Sequence, residues 1–125
     1  MSWEAPLRSE IVEAIVQSAD DEIPYRRAGR GRASLLLCEP GRPEREPVFR
    51  RLASLGLVVE PLALPEPGLA DWARWLRAIV DGLGLDRPDL VVSAGLVDVA
   101  RRFLEEDPHR GGALLLVEEI EHRSH

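Results

Sequence analysis

Four short apolar runs set the limits on what this chain can fold into. The segments "ASLLLCE" (33–39), "LVVEPLAL" (57–64), "DLVVSAG" (89–95) and "GALLLVEE" (112–119) are short for buried helices and too continuously apolar for strands with one wet face. Runs of this kind suit strands buried on both faces, because both rows of alternating side chains must leave water. The stretches between them have helical period. Val48, Leu52 and Leu55 share one face ahead of Gly56. Leu69, Trp72, Ala73, Leu76, Ile79, Val80 and Leu83 share another, with Asp71, Arg74, Arg77 and Asp81 pointing away. Leu96, Val99, Ala100 and Phe103 form a third, opposite Asp98, Arg101, Arg102 and Glu105. Strands alternating with helices need crossover connections, which make the sheet parallel and cover both of its faces. The pattern therefore predicts an α/β, flavodoxin-like (Rossmann-like) three-layer sandwich. Its four-stranded parallel sheet, at 33–38, 57–62, 89–93 and 112–117, is expected in the order 2-1-3-4.

The N-terminal part lies outside that alternation. In residues 3–19, "WEAPLRSEIVEAIVQSA", the positions of Leu7, Ile11, Ala14, Ile15 and Ser18 predict an extra N-terminal helix. Val12 and Val16 widen its apolar surface beyond what one-sided packing uses, which implies a second packing partner, either the domain's own sheet or another subunit. They are the candidate contacts to a protein partner, in the first place a second copy in a homodimer. Trp75, at the edge of its helix's apolar face, is a further partner candidate. Residues 20–32 break the helix, with Ile23–Arg27 as a short edge strand and "YRRAGRGR" (25–32) as a local basic cluster in a solvated linker. The expected domain division is 1–32, helix and Arg/Gly linker, and 33–125, the α/β domain.

Composition narrows the function. The net charge of −6 disfavours a nucleic-acid or anionic-membrane surface. No apolar run approaches the roughly 20 residues of a membrane span, and acidic Glu4 with Pro6 does not fit a secretory leader, so a cytoplasmic location is expected. The lone Cys38 forms no internal disulfide, consistent with a reducing compartment. All 16 basic residues are arginine, and threonine and asparagine are also absent. Catalytic proposals are left with serines, three histidines, Tyr25, Cys38, arginines and carboxylates.

Ligands of an open parallel sheet sit at the carboxyl ends of its strands. The candidate ligand-binding residues there are Gly41, Arg42 and Arg45 after the first strand and Ser93, Ala94 and Gly95 after the third. Cys38 with Gly41 is similar to the phosphocysteine loop of sugar-phosphotransferase B components, but only as C-x-x-G. The neighbouring Glu39 disfavours a thiolate, and Cys38 reads as a buried core residue. A tyrosine-phosphatase loop is excluded because Glu44 stands where its arginine would be.

Across residues 29–95, "GRGRASLLLCEPGRPEREPVFRRLASLGLVVEPLALPEPGLADWARWL" and "DRPDLVVSAG" together resemble the cobalamin-binding domain of methionine-synthase-like enzymes and light-sensing repressors. The resemblance implies a crevice in which Ser93 matches the serine beside the nucleotide tail. The family's acid, cobalt-ligating histidine and glycine correspond to Arg42, Glu44 and Pro47, and its later Gly-Gly to Glu118 and Glu119, so no cobalt ligation and no cofactor are expected. The chain is similar to a response-regulator receiver at the same level, but Glu39 stands alone, Ser93 replaces the phosphoacceptor aspartate and no lysine exists, which makes it a pseudo-receiver. The function these resemblances imply is a non-catalytic regulatory or protein-interaction module. The alternative is a sensor of a cobalamin-like or nucleotide-like small molecule, with Arg42, Arg45 and Ser93 meeting phosphate. No catalytic set and no metal site are assigned. Glu118, Glu121, His122 and His125 share a helical face only in a charged chain end, and His109 falls in a turn. An enzyme using Cys38 or Ser93 as nucleophile is the third option, with no histidine placed to activate either.

Overall fold

A computed structural model describes residues 10–17, 22–65 and 71–123, with side chains described as far as residue 120. Strands β1 (Val12–Gln17), β2 (Glu22–Ala28), β3 (Ala33–Leu37), β4 (Leu57–Pro61), β5 (Asp89–Val92) and β6 (Leu114–Leu116) form one sheet in the order β1-β2-β4-β3-β5-β6. Helix α1 (Arg45–Leu55) links β3 to β4 and α2 (Trp72–Gly82) links β4 to β5. A 3-10 turn (Ala94–Leu96) and α3 (Val97–Glu106) lead from β5 to β6, which runs into α4 (Val117–Arg123). β3 through β6 are mutually parallel, whereas β1 pairs antiparallel with β2 and β2 antiparallel with β4.

The apolar runs are strands for the reason their composition gives. Leu35 and Leu37 of β3, Val59 of β4 and Leu90 and Val92 of β5 enter the core under α2 and α3. Leu36, Val58 and Val91 point the other way, into the core under α1 and α4 with Val48, Phe49 and Leu52. Asp71 caps α2 by accepting a hydrogen bond from the Arg74 backbone N–H at 3.1 Å. Gly29 (φ +84°) makes the turn between β2 and β3, where a Cβ would run into the carbonyl oxygens of Gly56 and Ala53 at the end of α1.

The four expected strands are present, and they are adjacent and parallel. They are the central and far part of a six-stranded mixed sheet, however, and this replaces the four-stranded flavodoxin-like sheet. The difference lies in the N-terminal segment. The described part of the predicted helix is strand β1, and residues 3–9, 18 and 19 lie outside the described residues. Val12, Ile15 and Val16 are β-branched, and pairing with β2 lets them alternate across a sheet instead of crowding a helix. Val16 is 5% exposed and packs against Gly82 of α2, so it belongs to the core and not to a docking surface, while Val12 is 37% exposed. Ile23–Arg27 is a strand as expected, but β2 is internal to the sheet, between β1 and β4, not an edge. No helix among the described residues is long and apolar enough to cross a membrane.

Candidate active site

The carboxyl ends of neighbouring strands β3 and β5 bring the 38–45 loop and the 93–96 turn together. The Ser93 backbone N–H donates to the Leu37 carbonyl at 3.0 Å, extending the ladder one step past β5. Two further hydrogen bonds follow. The Glu39 backbone N–H donates to Ser93 Oγ at 3.3 Å, and Ser93 Oγ donates to Glu39 Oε1 at 3.3 Å. Ser93 is fully buried, whereas the Glu39 side chain is 43% exposed, so the carboxylate covers the hydroxyl and faces solvent itself. Gly95 leaves room for this arrangement, since a Cβ there would meet the Glu39 carboxylate.

Arg42 holds the middle of the loop. Its guanidinium reaches Glu44 at 3.2 Å, Glu118 of α4 at 3.4 Å and Glu39 at 3.7 Å. The hydrogen bond from Arg42 holds the Glu44 carboxyl below the usual carboxylate range. Glu118 Oε1 is the one buried side-chain oxygen or nitrogen among the described residues without a hydrogen-bond partner.

Beneath the loop lies a second, deeper set of charges. Glu60 of β4 is 1% exposed and accepts from Arg26 of β2 at 2.7 Å and from Arg45, the first residue of α1, at 2.5 Å. Arg26 also pairs with Glu46 at 2.9 Å and stacks on Phe49 with its guanidinium carbon 3.8 Å from the ring centre. Arg26 holds the Glu46 carboxyl below its ordinary range. A buried carboxylate is tolerated only with its oxygens occupied, and here each oxygen has an arginine.

Cys38, between the two sets, is buried as expected. Burial first, and the Glu60 charge second, push its thiol up to about 11, so at neutral pH it is a protonated core side chain. Of the candidate ligand residues, the fold gathers Arg42, Arg45, Ser93, Ala94 and Gly95 on one edge, with Gly41 in an exposed turn at φ +84°. The two arginines expected to meet phosphate are engaged by carboxylates instead. Trp75, the partner candidate, is half-buried and packs edge-on against Trp72 with ring centres 5.4 Å apart. His109 is exposed in the turn before β6, at the opposite edge of the sheet from Ser93. Among the described residues no group of three histidine, cysteine or acidic side chains is placed to hold a metal.

Glu39 and Glu60 carry roles here that the sequence did not assign. Glu60 had a signal: an acid inside the apolar run "LVVEPLAL" must find buried cations. Glu39 had none, since its partner lies 54 positions away.

No protein-family model matches the sequence, and no curated protein matches it. Solved structures do match in shape. An epoxide hydrolase from Vigna radiata superposes at a TM-score of 0.70 with 18% identity over 86% of this chain and 40% of its own. The carboxylesterase CesB from Bacillus subtilis gives 0.72 with 17% identity, over 86% and 42%. The 2-hydroxy-6-oxo-6-phenylhexa-2,4-dienoate hydrolase from Rhodococcus sp. strain RHA1 gives 0.69 with 20% identity, over 86% and 46%. These are α/β-hydrolase-fold proteins, and the likeness establishes that fold for this chain, which spans less than half the length of each. The fold is not that of a cobalamin-binding or receiver domain. The apolar pattern from residue 33 onward is shared by parallel α/β sheets of many kinds, and the β1–β2 hairpin joined antiparallel to β4 separates this one from them. The non-catalytic regulatory module and the small-ligand sensor rested on those resemblances and are overturned with them.

In the α/β-hydrolase fold the nucleophilic serine stands on a strained turn after the strand occupied here by β5, within G-x-S-x-G. The oxyanion hole takes one N–H from the loop after the strand occupied here by β3. In this chain Ser93 directly follows β5, and Glu39 lies in the loop after β3. The local sequence is Val91-Val92-Ser93-Ala94-Gly95, so the second glycine is kept and the first is valine. Ser93 has extended backbone, φ −73° and ψ 159°, and its turn lacks the strain of an elbow.

Proposed function

We propose that the protein is an ester-cleaving hydrolase of the α/β-hydrolase fold that works at the carboxyl edge of β3 and β5. One observation carries this: Ser93 Oγ, at the end of β5, directs its proton onto the Glu39 carboxylate of the neighbouring loop. A hydroxyl bonded to a carboxylate is a nucleophile–base pair in outline, and the Glu39 N–H, which donates to the same hydroxyl, is a loop donor beside the reacting position. The acid and histidine of the usual triad follow the serine in chain order. The one later histidine with a described side chain, His109, is at the far edge of the sheet, which leaves Glu39 as the base within reach of Ser93 among the described residues. Ser93 is buried and the Glu39 side chain lies on its solvent side, so substrate approaches the pair from that side.

The test is hydrolysis of p-nitrophenyl acetate and butyrate by the purified protein, with Ser93→Ala and Glu39→Gln beside the wild type. Ser93→Ala is expected to lower kcat/KM about 100-fold or more, and Glu39→Gln about 10-fold or more. A fluorophosphonate should label the peptide containing Ser93. Wild-type protein no faster than buffer, or a Ser93→Ala variant as active as wild type, rejects the proposal.

A further inference from the structure

The loop that carries Glu39 has an unusual end. Glu44, the N-cap of α1, makes no capping hydrogen bond with its side chain, which is turned to Arg42 instead. A helix start without such a cap needs another anchor. Arg45, the next residue, supplies one by donating from Nε to Glu60 Oε2. Glu60 is itself fixed from the other side, because its Oε1 accepts from Arg26, and Arg26 is held by Glu46 and by the Phe49 ring. The chain of contacts therefore runs from β2 through β4 to the first residue of α1, where the loop ends.

We infer that Glu60 is a positioning residue: through Arg45 it fastens the β3–α1 loop to the sheet and so keeps Glu39 in register with Ser93. It touches neither Ser93 nor Glu39. Three elements converge on a carboxylate whose side chain is 2% exposed, and β2 and α1 each give it an arginine, so the start of α1 cannot shift without breaking a part-buried, charge-assisted bond. Burying these charges is costly, and an apolar trio of similar volume would serve stability as well. What an apolar trio would lack is a directed bond to the start of α1. The hydrogen bonds between Glu39 and Ser93, both 3.3 Å and open to solvent on one side, do not hold the loop by themselves.

The inference rests on the hydrolase proposal for its catalytic consequence, and the two are tested apart. Glu60→Gln keeps the shape and removes the charge, and Arg45→Met frees the loop while leaving the Glu60–Arg26 bond intact, so that at least one variant folds. Amide hydrogen exchange followed by NMR reads the loop directly. In both variants exchange across residues 39–45 is expected to speed up 10-fold or more while the amides of β3 and β5 stay protected as in wild type. Ester turnover should show kcat reduced about 10-fold with KM unchanged, partly restored by Glu60→Asp. Loop exchange that is unchanged, or that rises equally across the whole sheet, overturns the inference. So does a loosened loop with unaltered kcat. If the wild type proves inert on esters, the hydrolase proposal fails by itself, and loop exchange alone then decides the role of Glu60.

Discussion

Cys38 shows how a side chain can sit beside the proposed active edge and stay protonated at neutral pH. It is flanked by Arg42 and Arg45, whose charges favour a thiolate, yet burial and the Glu60 carboxylate outweigh them and leave the thiol near 11. The stability consequence has a definite sign. In the unfolded chain the thiol ionises near 9.0, so between that pH and about 11 the folded form holds more proton than the unfolded one. The contribution is complete below pH 9 and is lost as pH rises through 11, where it amounts to about 2 kcal/mol. Wild type should therefore lose that much more stability than Cys38→Ala between pH 8.5 and 11 in urea unfolding. Parallel curves for the two proteins would show that Cys38 titrates normally. Ser93 illustrates the converse case: a residue visible in the sequence as a candidate acquires chemical meaning from a carboxylate 54 positions away that only folding delivers.

Strand β1 is the element that separates this fold from its relatives in pattern, and its side-chain order tests it. A helix over residues 3–19 places Ile15 on the inward face and Val16 beside it; the strand reverses them, with Ile15 57% exposed and Val16 buried against Gly82. Val16→Ala is expected to cost roughly 1–2 kcal/mol through the cavity it leaves, and Ile15→Ala less than about 0.5 kcal/mol. Chemical denaturation of the two variants decides the matter. Equal losses, or a larger loss at Ile15, would contradict the strand. Periodicity misled here because Ile11, Ala14 and Ile15 satisfy helical spacing while Val12, Ala14 and Val16 satisfy alternation, and the partner β2 settles which applies.

Across the molecule, ion pairs join elements distant in sequence. Arg32 holds Asp89 at 2.8 Å where β3 and β5 begin, and Arg77 and Arg110 share Asp107 at the end of α3. Hydrogen bonds from these arginines keep the Asp89 and Asp107 carboxyls below 3.8, as Arg26 and Arg42 keep Glu46 and Glu44 below 4.5. For groups depressed in this way the stabilisation is present above the unfolded-state values and disappears as pH falls through the folded ones. The urea midpoint should therefore hold from pH 7 to 5 and drop steadily below about 4.5. Added 1 M NaCl should shrink the drop, because most of these pairs are solvent-accessible and screened. A midpoint unchanged down to pH 3 would remove the paired carboxylates from the account.

The apolar runs at 33–39, 57–64, 89–95 and 112–119 determined four parallel strands and their neighbours in the sheet, because a continuous short apolar segment has few other ways to leave water. The edge where Arg42, Arg45 and Ser93 gather followed from that, since parallel strands align their carboxyl ends. Tertiary structure decided the rest. Whether residues 12–17 coil or extend depends on hydrogen bonds to β2, a non-local partner that no window of sequence contains. The α/β-hydrolase fold depends on β2 joining β4 antiparallel, which apolar content does not encode. Which carboxylate meets which arginine was fixed only when β2, β4 and the start of α1 closed around Glu60, because charge pairing in a folded core is set by distance in space and not by spacing along the chain.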